Sequence, residues 1–310
     1  MRDEDFAAVR AWMSGFNEGD PVLGRVAAAL GTSQLRVPDG TEGVPGLGRF
    51  TFDANAAGRP VSVQVLALGR PDTDHARIEA ARDRIALVQE IESAHVVEVL
   101  SAVMVLEGYP GALCWLEEPT LPDSLVDDGQ DSEAPWSVDK AGALLGGLGA
   151  GVAAFHARGA RAWPRLGGIG QRSTGEFAVT NGNFVFALRA ASDAGHPVLD
   201  LVPFFDSPDD GRGGPVSLVG DVYTLGVLTY LVLTGHPPVE AGSASAELRA
   251  STSEDAAEYV ANLPSRGFLP VQVARPEVPD HLAAVIERCL RPVEEGRYPD
   301  AAAMLADMTE

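Results

Sequence analysis

A glycine-rich stretch with a proline in its middle is the part of this sequence whose residue types could bind phosphate. Gly43, Gly46 and Gly48 lie in GVPGLG, and the backbone N–H groups of such a loop can cradle phosphate oxygens. Pro45 has no N–H and removes one donor that a phosphate could use. The stretch is either the remnant of a phosphate site or an ordinary connection between strands.

Charged residues of the kinds that phosphoryl transfer uses are scarce in two parts of the sequence. The reaction needs a cation on the phosphates, a carboxylate that positions the acceptor hydroxyl and another that holds Mg²⁺. The chain has a single lysine, Lys140, far beyond the strands that follow the loop. The stretch from Ala157 to Ser192 contains no Asp, and its only acid is Glu176.

The residues after the loop predict a sheet with one helix. The segment 49–68, RFTFDANAAGRPVSVQVLAL, predicts two strands joined by a turn at Asn55–Gly58, because apolar residues alternate in its second half. Apolar residues at helical spacing predict a helix over 74–92. Two further strands are predicted over 96–106 and 112–116.

The second half predicts mainly helices. Apolar residues from Val138 to Phe155 mark one face of a helix that also contains five glycines. Each glycine weakens a helix by about 1 kcal/mol relative to Ala, so we expect close packing of neighbours to offset them. In FAVTNGNFVFAL, residues 177–188, the Asn181-Gly182 pair predicts a β-hairpin with a type I′ turn.

Two segments of the second half carry a resemblance to a known family. GDVYTLGVLTYLVLTGHPP, residues 220–238, is similar to the long central helix of bacterial Ser/Thr protein kinases, and IERCLRPVEEGRYPDAAAMLADM, residues 286–308, is similar to the last two helices of that fold. The resemblance implies an α+β, bilobal protein-kinase-like fold, with a β-rich N-lobe over 37–118 and a mainly helical C-lobe over 119–310. Residues 1–36 would be an N-terminal extension that packs on the N-lobe or mediates contacts.

The resemblance also marks residues that define the fold. Asp221 matches the family's aspartate that caps the central helix and holds the backbone of the catalytic loop. Asp209 ends Ser207-Pro208-Asp209, which matches the family's Ala-Pro-Glu motif, and Arg297 matches the arginine that pairs with its carboxylate. Because Asp is shorter than Glu, this pair is expected to be longer or bridged by water. His156 is expected to pack or to end a helix.

The same resemblance implies a degenerate nucleotide cleft, lined by the glycine-rich loop and Gln64, Glu118 and Leu188. The family's phosphate lysine falls at Gln64, which is neutral, and its hinge falls at Glu118. If the Asn-Gly hairpin forms, the metal-binding Asp-Phe-Gly triplet falls at Leu188-Arg189-Ala190, and another register places it at Asn181-Gly182-Asn183. Neither triplet has the acid that a hard cation needs. We therefore predict no catalytic residue and no metal site.

The leading functional hypothesis is a catalytically inactive pseudokinase that acts as a regulatory or scaffolding protein-binding module. One alternative is a nucleotide-binding switch that binds ATP without phosphoryl transfer. Another is an unconventional transferase on the same fold, using acids such as Glu176 or Asp193. No cofactor is expected, although ATP binding is left open.

A second resemblance suggests partners. GVPGLGRFTFDANAAGRPVSVQVL, residues 43–66, looks like the actinobacterial pseudokinase domain attached to the MviN-type lipid II flippase, which an FHA-domain protein recognises after Thr phosphorylation. The resemblance implies an active kinase or a phosphothreonine-reading FHA domain as partner. Thr252, in ASTSED, is the candidate phosphosite, with an ordinary loop residue as the alternative.

Charge and cysteine usage restrict the partners and the compartment. The chain has 23 basic and 44 acidic residues, a net charge of −21, which argues against nucleic acid or an anionic membrane as the main partner. Cys114 and Cys289 lie in separate apolar runs and suit a reducing compartment. The apolar run over 222–233 is too short to span a membrane, and MRDEDFAAVR has no apolar core of a signal peptide. We therefore predict a cytoplasmic protein without a membrane span.

Overall fold

The computed structural model describes most of the elements that the sequence predicts. Gly43, Pro45, Gly48 and Thr252 lie outside the described residues. The described residues are 21–33, 35–36, 49–69, 75–106, 111–120, 135–165, 168–181, 184, 187–188, 205–210, 217–238, 260, 262–263 and 267–309.

The chain divides into two compact units. The first is drawn from residues 1–92, 97–120 and 187–192, and the second from 93–96, 121–186 and 193–310. Antiparallel strands and α-helices both occur, which confirms the predicted α+β class. The bilobal arrangement and its domain boundaries stay predictions.

A four-stranded antiparallel sheet forms the frame of the first unit. Its strands are β1 (Arg49–Ala56), β2 (Arg59–Gly69), β3 (Val99–Val105) and β4 (Gly111–Glu117), in the order β1-β2-β4-β3. A turn at residues 57–58, both with positive φ, joins β1 to β2, inside the range predicted for it. The two strands and the turn between them are therefore confirmed.

The helix before the sheet covers one of its faces. Helix α1 (Pro21–Leu30) contributes Val26 and Leu30 to a core cluster that also contains Val63 of β2 and Cys114 of β4. All four side chains are buried. The described part of the predicted extension is therefore built into the first unit.

The segment after α1 pairs with the outer edge of β1. The N–H of Ser33 donates to the carbonyl of Asn55 (2.8 Å), and Arg36 and Asp53 exchange two backbone hydrogen bonds of 2.9 and 2.8 Å. These bonds satisfy backbone groups that an edge strand otherwise leaves unpaired.

Helix α2 (His75–Gln89) packs against β3, close to the range that the periodicity predicts. Its buried residues are Arg77, Ile78, Ala81, Arg84 and Val88, which recur at three- and four-residue spacing. This spacing defines one face of a helix. The face is unusual because it contains two arginines.

The second unit is built around helix α3 (Val138–His156). The strands β5 (Ile169–Gln171) and β6 (Phe177–Val179) follow it, and then helices α4 (Val219–Thr234), α5 (Val271–Ala274), α6 (Asp280–Cys289) and α7 (Ala301–Met308). Helix α3 packs against β6, α4 and α7, and α4 packs against α6. The helices expected over 138–155, 220–238 and 286–308 are all present, with a break between α6 and α7.

The glycines of α3 allow its neighbours to approach closely. A Cβ on Gly151 would lie 2.3 Å from the carbonyl oxygen of His95, and one on Gly147 would lie 2.9 Å from the carbonyl oxygen of Phe177. Around Gly142 and Gly146 nothing lies within 4 Å of such an atom. Close packing therefore explains only some of the glycines.

The β-hairpin predicted across Asn181-Gly182 is wrong. Strand β6 pairs with the preceding strand, β5, and the turn between them covers 172–176. After Val179 no further strand begins in the described residues, and Ala187 and Leu188 have helical backbone. Pairing of two three-residue strands outweighed the local turn preference of Asn-Gly.

Helix α3 is the one helix among the described residues that is long and apolar enough to cross a membrane, judged by length and composition. Its residues Leu144, Leu145 and Leu148 are fully buried in the second unit. It is therefore the central helix of that unit.

We predict opposite effects for two Gly→Ala substitutions in α3. Gly151→Ala should destabilise the protein by about 1 to 3 kcal/mol, since the added methyl collides with backbone. Gly142→Ala should stabilise it by about 0.5 to 1 kcal/mol, because a helix favours Ala where space is open. Urea unfolding of the two variants measures both values, and destabilisation by Gly142→Ala would contradict the packing account.

We predict that neither cysteine reacts in the native protein. Burial raises the pKa of Cys114 and of Cys289 to about 12, so the thiolate fraction at pH 8 is on the order of one in ten thousand. Ellman's reagent should detect almost no thiol in native buffer and both thiols in denaturant. Rapid labelling of either cysteine in native buffer would contradict its burial.

Candidate functional site

A buried carboxylate at the start of α4 is the centre of the polar structure in the second unit. Asp221 is fully buried and accepts hydrogen bonds from the backbone N–H of Ala162 (2.6 Å) and of Trp163 (3.3 Å). The bond from Ala162 is to Oδ2, and the Nε–H of Arg161 donates to Oδ1 (2.8 Å), which also accepts from Trp163. Asp221 thus holds the backbone of the segment after α3, as the family resemblance implies.

The charge of Asp221 is maintained by its neighbours. Burial alone would raise the pKa of its carboxyl, but the Arg161 guanidinium and the hydrogen bond from His156 hold that pKa well below its ordinary value. Burial alone would likewise lower the pKa of Arg161, and the carboxylates of Asp210 and Asp221 raise it instead. Both groups are therefore ionised at neutral pH.

His156, the last residue of α3, connects Asp221 to α7. The backbone N–H of Ala301 donates to its Nδ1 (3.1 Å), so this nitrogen carries no proton. Its Nε2 lies 3.3 Å from Asp221 Oδ2 and donates the ring proton to that oxygen. His156 is therefore a buried link between three helices, as expected for a helix-end residue, and is not positioned as a catalytic base.

The segment held by Asp221 contains a strained residue. Trp163 has a φ of 56° and is buried, a conformation that is rare for a bulky side chain. The guanidinium of Arg161 lies 3.7 Å from its ring centroid, and that of Arg165 lies 5.1 Å from it. The two cations and the backbone bond to Asp221 hold this conformation in place.

Three aspartates in the segment 205–210 each pair with a buried arginine. Arg161 donates to Asp210 (2.6 Å), and Arg165 pairs with Asp206, where both side chains are fully buried. The third pair is Arg297 with Asp209. This set of three pairs, Arg161–Asp210, Arg165–Asp206 and Arg297–Asp209, is called the arginine clamp below.

The Arg297–Asp209 pair joins the residues that the family resemblance matched. Their charged atoms lie 2.9 Å apart, with the arginine side chain fully buried and the aspartate 21% exposed. The contact is direct, so the longer or water-bridged pair expected for the shorter acid is not found. Arg297 also lies 5.1 Å from the ring centroid of Tyr223 and donates to the carbonyl of Arg291.

Gln64 lies inside a hydrogen-bond network of the first unit. Its Nε2 donates to Glu117 Oε1 (3.0 Å), and its Oε1 accepts from the Thr51 hydroxyl (2.8 Å). The other Glu117 oxygen accepts from the Trp115 indole N–H (2.9 Å). Gln64, Glu117 and Trp115 are all buried, so both ends of the Gln64 amide are occupied by protein.

The buried face of α2 has no acid. Arg77 and Arg84 are its buried charged residues, while Glu79 and Asp83 are exposed. A kinase needs an ion pair between a strand lysine and a glutamate on this helix. Here the strand residue is Gln64, and the helix presents arginines.

The remaining described cleft residues differ in exposure, since Leu188 is buried. Glu118 is exposed at the end of β4. The alignment that assigned the metal-binding triplet to Leu188-Arg189-Ala190 assumed the Asn-Gly hairpin. Because that hairpin is absent from the described residues, the assignment has no support. Asn181, in the other register, follows β6 and is buried, while Glu176 is exposed in the β5–β6 turn. Among the described residues no group of three His, Cys, Asp or Glu side chains could hold a metal ion.

Sequence reasoning missed most of the arginine clamp. Arg161 and Arg165 were seen only as part of a stretch without Asp, and Asp206 and Asp210 were not singled out. A signal was present, because GARAWPR and FDSPDD place two arginines and three acids in short apolar surroundings. Charged side chains are almost never buried in apolar surroundings unless they pair with each other.

Comparison with known proteins gives a partial similarity to kinases. The chain is 32% identical over 125 residues to the serine/threonine-protein kinase PknB of Mycolicibacterium smegmatis, and 30% identical over the same length to PknB of Mycobacterium tuberculosis. It is 36% identical over 90 residues to the serine/threonine-protein kinase PkaA of Streptomyces coelicolor. The PknB matches cover 39% of this chain, and the PkaA match covers 29%.

The similarity spans only a small part of these relatives. The matches cover 18% of each PknB and 13% of PkaA. No protein-family profile matches the chain. The similarity supports a relation to the kinase-like superfamily.

We predict that Asp221→Asn destabilises the protein by about 3 to 5 kcal/mol, because it leaves the buried Arg161 without its full countercharge. Asp83→Asn, on the exposed face of α2, should change stability by less than about 0.5 kcal/mol. Urea unfolding at pH 7 compares the two variants.

The pH dependence of stability, compared between the native protein and Asp221→Asn, tests whether the charge of Asp221 causes the loss of stability. The pKa of Asp221 is lowered on folding, so its stabilisation is complete above the ordinary range near pH 4 and is lost as pH falls further. The stability difference between the native protein and Asp221→Asn should therefore be constant above about pH 5 and shrink below about pH 4. A difference that stayed constant down to pH 3 would contradict a charge-based role.

Proposed function

We propose that this chain is a catalytically inactive member of the kinase-like superfamily that acts by binding other proteins. The partial similarity to PknB and PkaA supports the kinase-like relation. The inactivity and the binding role are proposals that rest on the described contacts.

The network around Gln64 is the observation that carries the proposal. A phosphate-binding residue at this strand position needs a free cationic end. Gln64 is neutral, and Glu117 and Thr51 engage its amide at both ends. Release of Gln64 would leave the buried Glu117 carboxylate with one donor fewer, which is costly. The network therefore opposes both phosphate contact and movement of the side chain.

The arginine clamp supports the same conclusion from the second unit. Phosphoryl transfer needs carboxylates that face the acceptor hydroxyl and the metal. The buried carboxylates of Asp206 and Asp221 are directed to arginines, and Asp210 also pairs with Arg161. Asp221 accepts from backbone N–H groups of the segment 161–165, and Asp206 and Asp210 pair with its arginine side chains. A fold that keeps the charges that stabilise it, and lacks the charges that phosphoryl transfer needs, suits a binding module.

A binding role is consistent with the overall charge. The net charge of −21 favours association with basic protein segments over nucleic acid or anionic membrane. An active kinase or a phosphothreonine-reading FHA domain remains the partner class that the sequence resemblance implies, and a cytoplasmic location remains a proposal. The candidate phosphosite Thr252 would be the contact point for such a reader.

We predict that the chain transfers no phosphate from ATP. Incubation with radiolabelled ATP and Mg²⁺ or Mn²⁺, with casein and myelin basic protein as acceptors, should give incorporation no higher than a boiled sample. Incorporation that Glu176→Gln or Asp193→Asn abolished would contradict the proposal and favour the unconventional transferase.

A thermal-shift titration in the same buffers separates inactivity from nucleotide binding. A ligand at about 100 times its Kd adds about 2.7 kcal/mol to the folded state. We expect no rise in Tm with millimolar ATP or ADP, because Gln64 is engaged and Pro45 removes a donor. A clear rise in the native protein would favour the nucleotide-binding switch.

A further inference from the structure

An apolar cavity of about 290 Å³ lies in the second unit. Pro208, Pro238 and Pro292 form part of its wall, together with Tyr223, Phe268 and Leu290. Among the residues that the structure describes, no charged side chain contributes to this wall. The chemistry of the lining selects a neutral, apolar group.

The wall is rigid in its construction. Proline fixes the backbone φ angle, and Tyr223 and Leu290 are buried at helix positions in or next to α4 and α6. Arg297 covers the Tyr223 ring and is itself held by Asp209. A cavity between such groups is pre-formed, which lowers the entropy cost of filling it.

The size of the cavity suits an aromatic group. An engineered apolar cavity of about 150 Å³ in another protein holds one benzene molecule. A cavity of about 290 Å³ therefore has room for a two-ring group such as indole. It is small for a typical cofactor, since ligand pockets range from about 300 to 1,000 Å³.

The apolar surface continues beyond the cavity. Phe268 is only half-buried, and Val293, the residue after Pro292, is 58% exposed. An occupant that covers these side chains as well must extend outside the cavity, which favours a side chain on a polypeptide over a free small molecule.

The charge near the cavity favours a basic polypeptide. Glu295 is exposed and Glu294 is half-exposed, both directly after Val293. Of the described arginines beside these acids, Arg297 pairs with Asp209 and Arg291 donates to the carbonyl of Gly296 (2.9 Å). The net charge of −21 adds a long-range attraction for cations.

We propose that this cavity receives an aromatic side chain from a basic segment of a protein partner. The inference rests on the proposed binding function and gives that function a location. The aromatic ring supplies apolar burial in the cavity, and arginines or lysines beside it meet the acidic surface around Glu295. Large anchors of this kind dominate the energy of protein interfaces.

The test uses the full chain and short fluorescein-labelled peptides. One peptide has a central Trp with two arginines on either side, a second replaces the Trp by Ala, and a third replaces the arginines by glutamates. Fluorescence anisotropy should show the Trp–Arg peptide binding at least about ten-fold more tightly than either of the others. Equal binding of the Trp and Ala peptides would overturn the proposal.

Substitutions in the cavity wall test whether the peptide binds in the cavity. Leu263→Trp fills the cavity from its wall, and Phe268→Ala removes the half-buried ring; each should weaken binding of the Trp–Arg peptide about ten-fold. Val273→Ala is the matched control, because Val273 is 64% exposed on α5 and outside the wall. Melting curves check that each variant is folded. Unchanged affinity in both folded cavity variants would place the peptide elsewhere and overturn the proposal.

Free indole tests whether the cavity binds an aromatic side chain of a polypeptide or a free aromatic molecule. Indole should displace the Trp–Arg peptide, but with a far lower affinity, because it lacks the arginines. Indole that binds as tightly as the peptide would show that the polypeptide adds nothing and would overturn that part of the proposal. None of these variants changes Gln64 or Asp221, so failure here leaves the phosphoryl-transfer and nucleotide tests of the proposed function unaffected.

Discussion

The buried negative charge of Asp221 is the constraint on which the second unit depends. A carboxylate without solvent must be matched by donors, and here the donors come from far apart in the chain. Arg161 and two backbone N–H groups come from the segment after α3, and His156 brings α7 into the same network. Gly220 is part of this constraint, because a Cβ there would lie 2.7 Å from the Arg161 guanidinium.

The two units show the same division between retained and lost charges. In the second unit the charges that hold backbone and helices together are present, down to the Arg297–Asp209 pair. In the first unit the resemblance places a phosphate cation at the position of Gln64, and Gln64 instead donates to the buried Glu117. Selection that preserved the fold and its surface, but did not preserve phosphoryl transfer, would produce this distribution of charges.

Elements with strong local patterns could be predicted from the sequence. The alternation in β2 and the apolar spacing of α3 gave nearly the observed bounds, since each pattern repeats over enough residues to show its period. The short strands β5 and β6 could not be found in this way, because three residues are too few for a period. The Asn-Gly turn signal was overridden by pairing with β5, a tertiary effect that local sequence does not record.

The candidate site was predicted where a motif carried it and missed where partners are distant in sequence. Asp209, Asp221 and Arg297 were found from their motifs, and the structure places Asp209 beside Arg297. Arg165 with Asp206 was missed, because 40 or so residues separate the partners and neither has a characteristic neighbour. Pairing of buried charges is determined by the fold, so residue type alone cannot assign it.

The link from His156 to Ala301 has a consequence for synthesis of the protein on the ribosome. Domains begin to fold as the chain emerges, but the hydrogen bond to Nδ1 cannot form until α7 has been made. Until then His156 lacks the backbone donor that fixes its proton on the side facing Asp221. The second unit would therefore spend the translation time of nearly 150 residues with its central charge network incomplete, a period in which chaperones could engage it.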